Sequence, residues 1–172
     1  MTLQPGTVLN NRYRIVRLLG MGGFGAVYRA WDTALNSPCA LKEYFDPSPE
    51  AAEQFIRQSG TLIGLRHPYL PRVLQQFSLP GQGQYLVMEF IEGKNLQEIL
   101  DERQGPLPEM QLVAWFGQVC DALTYLHTQA PPILHRDIKP ANIKITPQGN
   151  AVLVDFGFPR LYDPNRKGVT GA

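Results

Sequence analysis

The sequence predicts an α+β chain: an antiparallel, strand-rich first half, a hinge near residues 90–94 and a helical second half. Three observations carry this. Segments 13–20, 25–34 and 37–45 are rich in branched and aromatic residues and are punctuated by a glycine cluster and a turn around Asn36, as a meander requires. Two more such segments, 72–78 and 84–90, flank the turn LPGQG as a hairpin. Beyond residue 94 the apolar spacing changes to that of helices.

These segments give five strands. Between the third and fourth, residues 48–68 predict one helix. Ser48 caps it, Pro49 suits its first position, and Glu50 and Glu53 favour its N-terminal end. Phe55, Gln58, Ser59, Leu62 and Ile63 share one face. Gly60 and Gly64 weaken the helix by about 1 kcal/mol each relative to alanine. Residues 95–102 predict a short helix and 108–127 a long one, with Leu112, Phe116, Val119, Leu123 and Leu126 as its buried stripe. Residues 151–157, AVLVDFG, predict a strand and a turn, and the polar tail reads as loop.

Composition excludes several classes. The 172 residues are 44% hydrophobic and 18% charged, which fits a globular chain with a real core. A net charge of +1 gives no electrostatic case for nucleic acid or an anionic membrane. Apolar runs such as YLVM fall far short of the ~20 residues a membrane span needs. The start carries no secretory pattern, and Cys39 and Cys120 match no metal spacing. Two buried free thiols and a cytoplasmic location are therefore expected.

Four motifs carry chemistry. GMGGFGAV holds Gly20, Gly22 and Gly25 in a G-x-G-x-x-G pattern. It reads either as a phosphate cradle or as a plain hairpin turn; a strand rather than a helix follows, which disfavours a dinucleotide fold. Lys42 in CALKEY is either a surface lysine or a cation aimed beneath that loop. Asp155 in DFG follows an apolar strand and could hold Mg2+. HRDIKPAN places Asp137, Lys139 and Asn142 within six positions. If Mg·ATP sits between the halves, Asn142 and Asp155 are the metal ligands. Asp137 then orients and deprotonates an attacking hydroxyl, and Lys139 neutralises the moving phosphoryl group.

Together and in this order, the motifs resemble the eukaryotic-type protein kinase family, in its serine/threonine branch, with DIKPANIKI similar to bacterial members. The resemblance runs from about residue 13 to 172 and implies a bilobal fold: an N-lobe over 1–91 and a partial C-lobe over 92–172. It implies that Val27 and Ala40 cover an adenine, that Met88 is the gatekeeper, and that the Glu89 and Ile91 backbones bond the base edge. It puts Asn95 near the ribose, and Phe156, His135 and Leu62 in a hydrophobic spine. ATP and Mg2+ are the implied cofactors. The implied reaction moves the ATP γ-phosphoryl to a protein serine or threonine; the alternative is a non-catalytic nucleotide-binding or interaction module.

Two departures stand out. The family pairs its strand lysine with a helix glutamate nine residues before the HP histidine; counting back from His67 gives Gln58. The neutral bond is weaker by about 1–2 kcal/mol, a ten- to thirtyfold loss of rate. A tolerated glutamine is the other reading. No A-P-E-like sequence follows DFG, so a C-terminal truncation is expected, with apolar surface exposed on helix 108–127. Such a face calls for a homo-oligomer or a partner in place of the missing part.

Overall fold

The computed structural model describes residues 2–155 and 160–161, apart from Phe24, Pro47 and Gln104. The first half contains Val8–Leu9 (β1), Tyr13–Gly22 (β2), Gly25–Asp32 (β3), Ser37–Tyr44 (β4), Pro49–Ile63 (α1), Val73–Leu79 (β5) and Gly83–Glu89 (β6). The strands form one antiparallel sheet in the order β1-β2-β3-β4-β6-β5. All five expected strands are present, and the sheet has six. The addition, β1, is two residues long, too short to show a period, and exists because Val8 and Leu9 pair with Arg14 and Tyr13.

Alternation along β3 buries Ala26, Tyr28, Ala30 and Asp32. That face joins Tyr13, Ile15, Leu41, Tyr85 and Val87 in one cluster, with the Tyr13, Phe77 and Tyr85 rings stacked at 5.7 and 5.0 Å. The opposite face carries α1. Ser48 Oγ accepts the Ala51 N–H at 3.2 Å, so the cap is as expected. α1 buries Phe55, Ser59 and Leu62 but ends at Ile63 rather than near 68. Gly64 terminates it, and the Arg66 guanidinium donates to the Ile63 and Leu65 carbonyls at 2.7 and 2.6 Å. Gln58 lies on α1, but its side chain is outside the described part, as are Phe156 and the tail beyond Leu161. The expected contacts of Gln58 and Phe156 therefore fall outside the described residues.

The second half contains Lys94–Asn95 (β7), Leu96–Glu102 (α2), Glu109–His127 (α3), Ile133–Leu134 (β8), a 3-10 turn at Pro140–Asn142, Ile143–Ile145 (β9), Ala151–Leu153 (β10) and Arg160–Leu161 (β11). β10, β9 and β7 form a small antiparallel sheet; β8 pairs with β11. The strand and turn expected over 151–157 begin with the strand Ala151–Leu153. The others have two or three residues and hold no pattern of their own.

α3 turns inward most of the stripe its apolar residues suggest, with Leu112 and Leu123 packed against the core beside Val119 and Leu126, but Trp115 takes the place expected of Phe116. Trp115, Val119, Ala122 and Leu126 are buried, while Phe116 is exposed. Trp115 and Phe116 are adjacent, and either continues the helical spacing to Val119. Trp115 wins because its large indole is covered while its N–H donates to the Gly149 carbonyl at 2.9 Å. Gln118 accepts the Ala151 N–H at 2.6 Å, so α3 holds the β9–β10 hairpin at two points. The outer side of α3 exposes Met110 (87%), Val113 (65%) and Phe116 (52%), in line with the expected apolar face. Cys39 is buried, but Cys120 is exposed on that outer side, which corrects the expectation of two buried thiols. Among the described residues no helix is long and apolar enough to cross a membrane. A second and larger core cluster runs through both halves, including Leu62, Met88, Leu96, Val119, Leu126 and Leu153.

Candidate active site

The site lies between the sheet of the first half and the small sheet of the second. Register sets Val27 opposite Lys42 and Arg29 opposite Ala40, so Val27, Ala40 and Lys42 share the face of β3 and β4 that looks away from the tyrosine-rich cluster. Lys42 is 9% exposed and forms an ion pair with Asp155. A charge this buried needs such compensation. The surface-lysine reading of Lys42 is thereby removed.

Two hydrogen bonds hold Val154, the residue before Asp155, one of them from Val154 to Asn142 and one to His135, and a third joins Asp137 to the same histidine. The Val154 N–H donates to the Asn142 carbonyl at 2.8 Å. His135 Nε2 meets the Val154 carbonyl at 3.2 Å, and His135 Nδ1 accepts the Asp137 N–H at 3.4 Å. The second contact makes Nδ1 an acceptor, so Nε2 carries the proton and the ring is neutral. His135 therefore ties residue 137 to residue 154. Arg136 and Asp155 hold positive φ angles, +67° and +57°. Such backbone costs of order 1–3 kcal/mol per residue and persists where surrounding bonds over-determine it.

Burial holds His135 below its ordinary value of 6.5, although the Val154 bond pulls the other way. A depressed folded-state value means that the unfolded chain takes up the proton first. The stability is complete above about pH 6.5 and falls as pH drops towards the folded-state value, by at most about 1.4 kcal/mol per pH unit. Urea titrations from pH 7.5 to 5.0 should show this decline, and His135→Gln should flatten it. An equal slope in both proteins would remove His135 as its source.

The loop around Asp137 is held by its own side chains. Lys139 Nζ lies 2.8 Å from Asp137 Oδ2. Asn142 Nδ2 donates to the Asp137 carbonyl and to Oδ2, each at 2.8 Å. Burial raises the Asp137 pKa, but the bonds from Lys139 and Asn142 outweigh it and the carboxyl sits below its ordinary range. It is thus a carboxylate at neutral pH. Oδ2 is occupied, and among the described residues Oδ1 accepts nothing, which leaves it open to a hydroxyl proton. Because Asn142 commits its amide hydrogens to Asp137, its Oδ1 is the atom left for a cation. Asp155 adds a carboxylate. Two protein oxygens suit Mg2+, which takes few protein ligands and fills its shell with water and phosphate oxygens.

One cleft is lined by Val27, Ala40, Met88, Glu89, Ile91 and Asp155. The structure thus brings six of the sequence-derived residues together, with Lys42 beside them through Asp155. The Glu89 N–H already donates to the Arg72 carbonyl at 2.8 Å and is closed to a ligand. Among the described residues nothing accepts the Ile91 N–H. Gly20, Gly22, Gly25, Asp137, Lys139 and Asn142 do not line this cleft. Leu19, Phe90, Lys144 and Val154 do, and sequence reasoning missed them. Leu19 and Val154 adjoin motif residues, a signal that could have found them. Lys144 had none, since β9 is three residues long.

The glycine segment is a hairpin, with Gly22 paired to Gly25. A Cβ on Gly20 or Gly22 would meet nothing within 4 Å, whereas one on Gly25 would lie 2.1 Å from the Glu43 carbonyl oxygen. Gly25 is thus required by close packing of β3 on β4, while Gly20 and Gly22 leave open space.

The protein kinase domain model matches residues 13–171. The chain belongs to the protein kinase family. It is 34% identical over 165 residues to the probable serine/threonine-protein kinase YbdM of Bacillus subtilis, covering 94% of this chain and 63% of that protein. It is 36% identical over 170 residues to the serine/threonine-protein kinase PknA of Mycobacterium tuberculosis, covering 95% and 39%. Among solved structures, the Mycobacterium tuberculosis PknI kinase domain superposes with a TM-score of 0.76 at 29% identity, covering 92% of this chain and 64% of that one. The fold is the bilobal α+β protein kinase fold. The chain spans less than two thirds of the length of these relatives.

Proposed function

We propose that this chain carries the ATP-binding and catalytic segments of a serine/threonine protein kinase, with an N-lobe over 1–91 and a partial C-lobe over 92–172. Mg·ATP lies between them. The base fits between Val27, Ala40 and the Met88–Ile91 segment, the last offering the Ile91 N–H. Gly20 and Gly22 leave room for backbone approach to phosphates, and Lys42 supplies positive charge to them. Asn142 and Asp155 would hold Mg2+, which would supply positive charge to the phosphates. Asp137 takes the proton of the incoming protein hydroxyl, and Lys139 offsets charge on the transferring group.

The observation that supports this reading most is the convergence at Asp137. Lys139 and Asn142 both bond one carboxylate oxygen, and the Asn142 carbonyl accepts the N–H of Val154, the residue before Asp155. Base, cation and metal oxygens are thereby linked across 18 residues of chain.

A second reading is a nucleotide-binding module without transfer. It is favoured by the ion pair of Lys42 with Asp155, which engages the expected metal ligand with the expected phosphate ligand. The test is incubation with γ-labelled ATP and a generic protein acceptor, with and without chelation of Mg2+, alongside a nucleotide titration. Transfer that stops on chelation is expected. Tight nucleotide binding with no transfer would establish the second reading instead.

A further inference from the structure

A second cavity, of about 390 Å³, adjoins residues 89–91. That volume falls in the range of about 300–1,000 Å³ usual for small-molecule sites. The run 66–72 before β5 forms one wall, residues 89–91 another, and the β9–β10 hairpin a third. Pro68, Leu70, Ile91 and Val152 give it apolar sides. It shares only Glu89 and Ile91 with the first cleft, and the proposed chemistry makes no use of it. Hydrogen bonds tie its walls together. The Glu89 N–H donates to the Arg72 carbonyl at 2.8 Å, and the Leu153 N–H donates to the Tyr69 carbonyl at 3.0 Å. His67, which also lines the cavity, stacks on Tyr125 at 5.0 Å and sets Nε2 3.5 Å from Asp121 Oδ2. The cavity is thus preformed.

Its rim carries charge that the fold leaves unneutralised. Arg66 and Arg72 both line it. Nη1 of Arg66 donates to the Ile63 and Leu65 carbonyls at 2.7 and 2.6 Å, which fixes the guanidinium in place. Its Nε–H and Nη2 groups have no acceptor among the described residues, and neither arginine has a carboxylate at ion-pair distance there. Glu89 is the carboxylate of the lining, and its Oε2 accepts the Arg72 backbone N–H at 3.4 Å. Two guanidinium groups against one carboxylate leave the rim positive. A planar guanidinium matches a carboxylate through paired N–H groups. The small surplus of charge suits a monoanion better than the dianion of a phosphate monoester.

We propose that this cavity binds a small aromatic carboxylic acid, its carboxylate held by Arg66 and Arg72 and its ring between Leu70, Ile91 and Val152. Burial of the ring supplies affinity, and the two guanidinium groups select the acid over a neutral analogue. The site is separate from the first cleft, so it stands or falls independently of the ATP reading.

The test titrates the whole isotope-labelled chain with cinnamate and with its neutral counterpart, cinnamyl alcohol. Amide chemical shifts are followed in the wild type, Arg72→Met and Arg66→Met, after thermal midpoints show that each folds. Cinnamate is expected to bind with a dissociation constant of about 1 mM, the scale for so small a ligand, and to shift the amides of Arg66, His67, Leu70 and Thr146 most. The alcohol is expected to bind about tenfold more weakly. Each arginine variant is expected to lose about tenfold in cinnamate affinity with little change towards the alcohol. Arg66 also holds the end of α1, so Arg72→Met decides the matter if Arg66→Met does not fold. Equal affinity for acid and alcohol overturns the proposal, as does cinnamate affinity unchanged in Arg72→Met. Shifts centred on Val27, Ala40 and Lys144 overturn it too, since they would place the probe in the first cleft. So does the absence of any shift up to ~10 mM cinnamate.

Discussion

Asp137→Asn is expected to lower phosphoryl transfer by about 10²–10⁴-fold while nucleotide affinity stays within about twofold. The substitution is isosteric, and an amide oxygen still accepts from Lys139 and Asn142, so the loop keeps its shape. What disappears is the capacity to take a proton at Oδ1, the atom without a partner among the described residues. Initial rates at saturating Mg·ATP, with a nucleotide titration on the same sample, measure both quantities. Transfer at the wild-type rate would remove Asp137 from the role of base. Loss of both properties would show that the carboxylate chiefly holds the loop together.

Gly25→Ala is expected to lower stability by about 1–3 kcal/mol, the usual cost of forcing atoms into a packed interior. The added carbon would stand 2.1 Å from the Glu43 carbonyl oxygen, and backbone rather than a flexible side chain must move. Because Gly25 pairs with Tyr44, the displacement falls on the end of β4 just beyond Lys42. Nucleotide affinity should therefore fall together with stability. Gly22→Ala meets open space and should leave the thermal midpoint almost unchanged. Denaturant unfolding of the two variants side by side decides the matter. Equal midpoints would mean that β3 and β4 separate at little cost.

The three glycines look alike in sequence and differ in place. Their spacing groups all three, as a phosphate cradle or a plain hairpin turn, but only contact with β4 singles out Gly25. α3 shows the same limit. Its apolar spacing turns Leu112, Val119, Leu123 and Leu126 inward as found, but does not choose between Trp115 and Phe116, and the Gly149 carbonyl that selects Trp115 lies 34 residues away. Residues two or three long, such as β7 and β9, pair only because neighbours are already in register, so no local pattern announces them.

The sequence by itself determined the family and the order of the five long strands and three helices, and it singled out Lys42, Asp137, Lys139, Asn142 and Asp155 as the proposed chemical set. Motif residues and apolar periods are local, and a linear chain displays them directly. Only the tertiary structure decided that Lys42 meets Asp155, that His135 locks residue 137 to residue 154, that Asn95 caps a helix and that Lys144 reaches the cleft. Each of these is a contact between segments whose separation is set by folding, and burial gives each one its weight: a lysine or histidine acquires a required partner only once water has been taken away.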